Sequence, residues 1–122
     1  MSDPSSEPPD ALLVSEEGPA LSSADHAVSL IGDALSVRAI RVVIPVGRLD
    51  PSFFDLSSRL AGDFLQKFTN YRLQVAIVGD ISAALESSSA LRAFVVESNR
   101  GSSVRFAPDM DSLQAMSPVS RS

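Results

Sequence analysis

Four aspartates at chain reversals are the residues best placed to do chemistry: Asp50 before Pro51, Asp55 after Phe54, Asp80 after Gly79, and Asp109 after Pro108. They sit where apolar runs end, at 46–50, 79–82 and 107–109. In parallel α/β sheets, ligands bind beyond the carboxyl ends of strands. That geometry gathers Arg48, Asp50, Asp80, Ser82 and Asp109 at one rim, with Ser57 and Ser58 near the start of a following helix. A guanidinium, carboxylates, hydroxyls and helix N-terminal N–H groups could hold a small polar ligand, and Phe53 and Phe54 could wall an adjoining pocket. Ser58, Asp55, Asp80, Arg48, Phe53 and Phe54 are therefore the candidate ligand-binding or regulatory residues. The competing reading is structural, because Asp and Ser are favoured helix caps and turn formers.

A second polar group, Gln66, Lys67, Asn70, Tyr71 and Arg72, falls at the end of the central helix, and Glu97, Asn99 and Arg100 end the next. Lys67, Asn70, Tyr71 and Arg100 are the candidate partner surface. The alternative is cations favouring the helix dipole and a tyrosine at a buried edge. No catalytic residue is assigned, and whether the chain is an enzyme stays open. The lone histidine, His26, has no nucleophile-and-carboxylate spacing around it. One histidine and no cysteine give no transition-metal motif. Without a GxGxxG or Walker-type loop, no cofactor is expected.

The elements that must position these residues follow from hydrophobic period. Leu56, Leu60, Ala61, Phe64, Leu65 and Phe68 recur at i, i+4, i+5, i+8, i+9 and i+12, one stripe of a helix introduced by Asp50-Pro51 and Asp55 and ended at Asn70. Residues 73–78 then form a short apolar run, a strand covered on both faces. Upstream, 11–14 reads as a strand and 15–20 as a loop. Ser22 or Ser23 caps a helix with Ala27, Val28, Ile31, Ala34 and Leu35 on one side, and 38–46 is a second strand with Pro45 near its exit. Downstream, 81–86 reads as a loop or short turn. A serine-capped helix follows, burying Leu91, Phe94 and Val95 and ending at Gly101. A strand at 104–106 and a last helix with Met110, Leu113 and Met116 inward complete the chain. The order βαβαβαβα predicts a single small α/β domain with a mainly parallel four-stranded sheet and about four helices.

At 122 residues with 44% apolar content the chain makes one domain with a core. No run of about 18 apolar residues exists to span a membrane, so no membrane partner is expected. The start, MSDPSSEPPD, is acidic and proline-rich, unlike a signal peptide. With no cysteine, this fits a cytoplasmic location. The net charge of −5 argues against nucleic acid as a partner. Residues 1–10 and 117–122 are expected to be disordered tails around a domain at 11–116.

The stretches LDPSFFDL, RLAGDFLQKFTNYRLQVAIVGDIS, SSALRAFVVESNRG and VRFAPD, and more weakly SLIGDA, are similar to a bacterial family catalogued as domain of unknown function 4180. The similarity covers roughly residues 11–116 and rests on specific motifs. It implies a STAS-like order of strands and helices and no general assigned activity. In STAS-type domains a Ser or Thr near the start of the corresponding helix is the phosphorylation point, which makes Ser58 the regulatory candidate. This chain departs from the family pattern twice. A proline-rich tail stands where members have an additional strand, and His26 and Ser29 stand where many carry an acidic pair. A function that relies on those carboxylates is in doubt here.

Two functional readings follow. The first is a non-catalytic STAS-like domain that binds a regulatory protein or itself, as a homodimer through an apolar helix or sheet face around Val28, Ile31, Leu35, Val42 and Ile44. The second is a small-molecule-binding protein or cofactor-free accessory enzyme, of isomerase or cyclase type, in a biosynthetic pathway. Removing residues 1–10 is expected to leave the melting temperature and oligomeric state unchanged in calorimetry and light scattering, since nothing there can bury much apolar area.

Overall fold

Alternation of side chains along the strands decides how this sheet is covered. The computed structural model describes residues 11–116. The expected tails at 1–10 and 117–122 lie outside the described residues, as does the side chain of Met116. The order is β1 (Ala11–Leu13), α1 (Ala24–Ser36), β2 (Arg41–Pro45), α2 (Leu60–Asn70), β3 (Gln74–Val78), α3 (Ser82–Ser87), α4 (Ser89–Arg100), β4 (Val104–Ala107) and α5 (Met110–Met116). Short 3-10 turns at Val46–Arg48, Pro51–Phe54 and Leu56–Ser58 lead into α2. The four strands are parallel and lie in chain order, β1-β2-β3-β4.

Each crossover moves one strand over in the same direction. With right-handed crossovers, every connecting helix lands on the same face. Val42, Ile44, Val75, Ile77 and Phe106 point into that layer and meet Ala27, Ile31, Ala34, Leu60, Phe64 and Phe68. The alternate residues Val43, Ala76 and Ala107 point the other way and are covered by α5 through Leu113 and Met110. On this second face Arg41 donates from Nε to Gln74 Oε1 at 3.3 Å. Among the described residues both faces of the sheet are therefore largely covered, with Leu13 on the α5 side left 43% exposed, and Val42 and Ile44 are fully buried. They and Ile31, 3% exposed, cannot form the association surface expected of them.

Three local expectations are revised. The strand expected from Arg38 begins at Arg41, because Arg38 takes a left-handed conformation, φ 63°, that ends α1. The central helix is broken at its start. Asp55 accepts from the Ser57 N–H, the Ser58 hydroxyl accepts from the Leu60 N–H, and Arg59 at φ 67° separates the 3-10 turn from α2. The expected loop at 81–86 is mostly the short helix α3, so the domain has five helices among the described residues. Pro45 fits the last position of β2 for a specific reason. Val43 accepts from Val14 N–H on the β1 side, and Pro45 shares that phase; its missing N–H faces a side where β1 has already ended.

The densest packing is aromatic. Phe64 lies edge-on to Phe53, with ring centroids 5.7 Å apart, and tilted against Phe68 at 5.4 Å. All three rings are almost wholly buried. Phe64→Ala is expected to cost on the order of 3–5 kcal/mol, against a total of roughly 5–15 kcal/mol for a domain of ordinary stability. Urea unfolding should show the lowered midpoint; an unchanged midpoint would place the helix face wrongly.

Candidate functional site

The upper rim of the sheet holds the candidate aspartates, and each has a local partner. Asp50 Oδ2 accepts from the Ser52 hydroxyl at 2.5 Å and the Ser52 N–H at 3.0 Å. Asp55 Oδ1 accepts from the hydroxyl and N–H of Ser57 at 2.6 and 3.1 Å. Asp80 Oδ1 accepts from Ser82 N–H at 2.9 Å, and Asp109 Oδ1 from Ser112 N–H at 2.7 Å. The first three share the pattern Asp-x-Ser, in which a carboxylate reaches the N–H two residues on, whereas Asp109 reaches three residues on.

At Asp50, Asp80 and Asp109 these contacts favour the charged form of the carboxyl. Hydrogen bonds from the hydroxyl and then the N–H of Ser52 hold the Asp50 carboxyl below its ordinary value. The N–H and then the hydroxyl of Ser82 do the same for Asp80, and those of Ser112 for Asp109. All three are firmly ionised acceptors at neutral pH, the opposite of a carboxyl tuned to give up a proton near pH 7.

Arg48 is engaged with the β1–α1 loop. Its Nε donates to Pro19 O at 3.1 Å, and its Nη1 to Ser15 O and Glu17 O at 2.9 and 3.1 Å. The guanidinium lies flat against Gly18, where a Cβ would come within 2.9 Å of Cζ. One side chain thereby shapes the β1–α1 loop. Ser58 is exposed, and its hydroxyl donates to Ser52 O at 2.7 Å while accepting from Leu60 N–H at 3.2 Å. Phe53 is core, and Phe54 stacks edge-on to it at 5.3 Å.

The candidate partner residues scatter. Asn70 Oδ1 accepts from Gln66 Nε2 at 2.9 Å, and Arg100 pairs with Glu97 at 3.4 Å. Lys67 borders a shallow groove with Ala24, Asp63, Gln66 and Asn70. Tyr71 is 55% exposed rather than set in a buried edge. Asn99 is structural: its amide donates to Phe106 O at 3.2 Å and accepts from Phe106 N–H at 2.7 Å, tying α4 to β4. His26 Nδ1 accepts from Ser22 N–H at 3.0 Å, while Ser23, the α1 N-cap, makes no side-chain cap bond. Among the described residues no group of three His, Cys, Asp or Glu side chains is placed to hold a metal ion.

Two further surfaces stand out, the first unforeseen and the second expected in part from Val28 and Leu35. One is a cleft of about 230 Å³ at the ends of β3 and β4, walled by Val46, Ile77, Ile81, Leu85, Val95 and Phe106. Asp80 and Ser82 are its polar members. It exists because the β3–β4 crossover uses two helices. The Ser88 hydroxyl accepts from Leu91 N–H at 3.0 Å, starting α4 directly after α3. The signal was Ile81 and Leu85, four residues apart in a segment read as a loop. The other surface is the outer side of α1. Val28 and Leu35 are each 50% exposed there, with Gly32 between them.

Fold and rim define a small α/β domain wound in one direction, its polar rim made of capped turns. A family model described as "Domain of unknown function (DUF4180)" matches residues 7–116, and the chain belongs to that family. No curated protein matches the chain, and neither does any solved structure. Among the described residues no helix is long and apolar enough to cross a membrane.

The capped aspartates predict an acid limit. A carboxyl whose folded value lies below its unfolded value stabilises the fold above the unfolded value, and that contribution is lost as pH falls through the folded one. Stability should be flat from neutral pH to about 5 and fall below about 4, near the ordinary aspartate value. Replacing Asp50, Asp80 and Asp109 together by Asn keeps cap-forming side chains but removes their titration. Denaturant midpoints measured across this range should fall less steeply for the triple variant.

Proposed function

We propose that this domain acts by binding rather than by catalysis, and that its first partner is a second copy of itself, joined through α1. The observation that carries this is the distribution of exposed apolar side chains. Of the seven large ones among the described residues, Val28, Leu35, Val37 and Ile40 lie on α1 or the turn that follows it. Gly32 supports the reading. It sits in mid-helix, where glycine costs about 1 kcal/mol relative to alanine, and a Cβ there would meet nothing within 4 Å. Nothing inside the described domain requires its small size. Gly62 on α2 also has open space, but its neighbours one turn away include Arg59 and Gln66 instead of an exposed apolar pair.

A two-fold axis at Gly32 would bring two α1 helices close in antiparallel fashion, with Val28 of each copy facing the region of Ser36 of the other. The same arrangement turns Asp25 toward the partner's Arg38, twice by symmetry. Both are exposed in the single chain. The surface is thus self-complementary in apolar area and in charge. A regulatory protein offering a similar helix would compete for it, which is how a regulatory role of STAS type would operate here. The cleft at β3 and β4 favours a second reading, small-molecule binding, on the opposite half of the sheet.

Light scattering coupled to size exclusion at micromolar concentration is expected to give twice the 12.9 kDa chain mass. Gly32→Gln should yield a monomer with full helical circular dichroism, because it improves helix propensity while blocking close approach. A monomeric wild type at every concentration overturns self-association, and a dimer that survives Gly32→Gln moves the interface off α1.

A further inference from the structure

We propose that the cleft at the carboxyl ends of β3 and β4 is a binding site for a small apolar molecule of about bicyclic aromatic size that bears a cationic or hydrogen-bond-donating group. This is independent of whether the domain associates through α1. Size comes from the cleft volume of about 230 Å³. A dry apolar cavity of roughly 150 Å³ takes up benzene, so this cleft has room for about one further ring. The walls match such a body. Val46, Ile77, Ile81, Leu85, Val95 and Phe106 present side-chain carbon from two strands, two helices and the turn after β2.

The polarity of the ligand follows from the two polar side chains. Asp80 is exposed at the cleft and accepts from Ser82 N–H. An ionised carboxylate has about four lone-pair sites and no proton to offer, so it retains acceptor capacity after that bond. No basic side chain lines the cleft. An ammonium or hydroxyl on the ligand would find an acceptor, and a carboxylate or phosphate would meet a like charge. Nucleotides and fatty-acid anions are thereby disfavoured.

The backbone keeps this arrangement in place. Gly79 has φ 147°, and a Cβ there would lie 2.7 Å from Val46 Cβ. Its N–H donates to Ala107 O at 2.9 Å. The chain can therefore turn tightly out of β3 against Val46 and deliver Asp80 to the cleft. Phe106 is held from the other side by its ring contact with Phe94, centroids 6.0 Å apart.

The test uses three probes of similar body and different charge: indole, tryptamine and indole-3-acetate. The chain contains no tryptophan, so indole emission reports the probe alone. Tryptamine anisotropy is expected to rise saturably with full-length protein, with a dissociation constant below about 1 mM, and indole-3-acetate to bind about tenfold more weakly. Asp80→Asn should remove the preference for tryptamine and leave indole unchanged. Val95→Phe, or Leu85→Phe if the first does not fold by circular dichroism, should abolish binding of all three by filling the cleft. No saturable rise with indole or tryptamine overturns the proposal, as does unchanged binding to a folded filled variant. Equal binding of tryptamine and indole-3-acetate overturns the assignment of ligand charge.

Discussion

Winding in one direction is the constraint on which the rest of this structure depends. Three successive crossovers step from β1 to β4 without reversing, so right-handedness alone loads the connecting helices onto one face. That face takes the large residues, Val42, Ile44, Val75, Ile77 and Phe106, under the phenyl rings of α2. Among the described residues the other face has only α5, which follows the last strand and is bound by no crossover rule. It therefore carries small residues, Val43, Ala76 and Ala107, which one short helix can cover. The aromatic cluster and the alanines on the reverse are two consequences of the same topology.

The topology also decides what the upper rim can be. In doubly wound sheets, neighbouring loops part where the strand order reverses, and a crevice opens between them. Here the order never reverses, so no such crevice is made, and the rim is a succession of tight turns. Aspartates populate it because tight turns and short helices need acceptors for their first N–H groups. Asp50, Asp55, Asp80 and Asp109 all answer that need. The cleft arises by other means. It lies beside the crossover of two helices, α3 and α4, at the ends of β3 and β4.

Long periodic segments were legible from the sequence. The stripe through Leu60, Phe64 and Phe68 and the runs around Val43 and Ala76 appear as a helix and two strands. What escaped was decided by single residues or by tertiary pairing. Arg38 and Arg59 adopt positive φ, which no preference of arginine signals. Arg48 reads as a free cation at a rim, yet its three carbonyl acceptors lie about thirty residues upstream, a separation that no local pattern encodes. Val42 and Val43 are adjacent and equally apolar, so the sequence could not say which faces the helices; strand register settles it. The candidate site was half legible for the same reason. Asp80 and Ser82 stand at the cleft as their position after a strand implied, but Phe53 went to the core and Ile81, Leu85 and Val95 took the wall.

The modes of association open to such a domain are few, and the sheet narrows them further. Edge-to-edge pairing would extend the sheet through β1 or β4. β1 has three residues, and a strand that short offers little ladder to a partner. β4 has four, with Arg105 among them, and a charged side chain on an edge strand also resists pairing. Face-to-face stacking is hindered where α5 covers Val43, Ala76 and Ala107 and where Arg41 and Gln74 make a polar strip, although Leu13 on this face is exposed. Helices α2 and α4 direct mainly charged residues outward, Asp63 and Lys67 on one, Arg92, Glu97 and Arg100 on the other, where Val96 is a single exposed apolar residue among them. Under the proposed self-association this favours α1, whose outer side has exposed Val28 and Leu35 around an unencumbered glycine. Its place over the first strands keeps it clear of the β3–β4 cleft, so a domain paired through α1 would still present one open cleft on each copy.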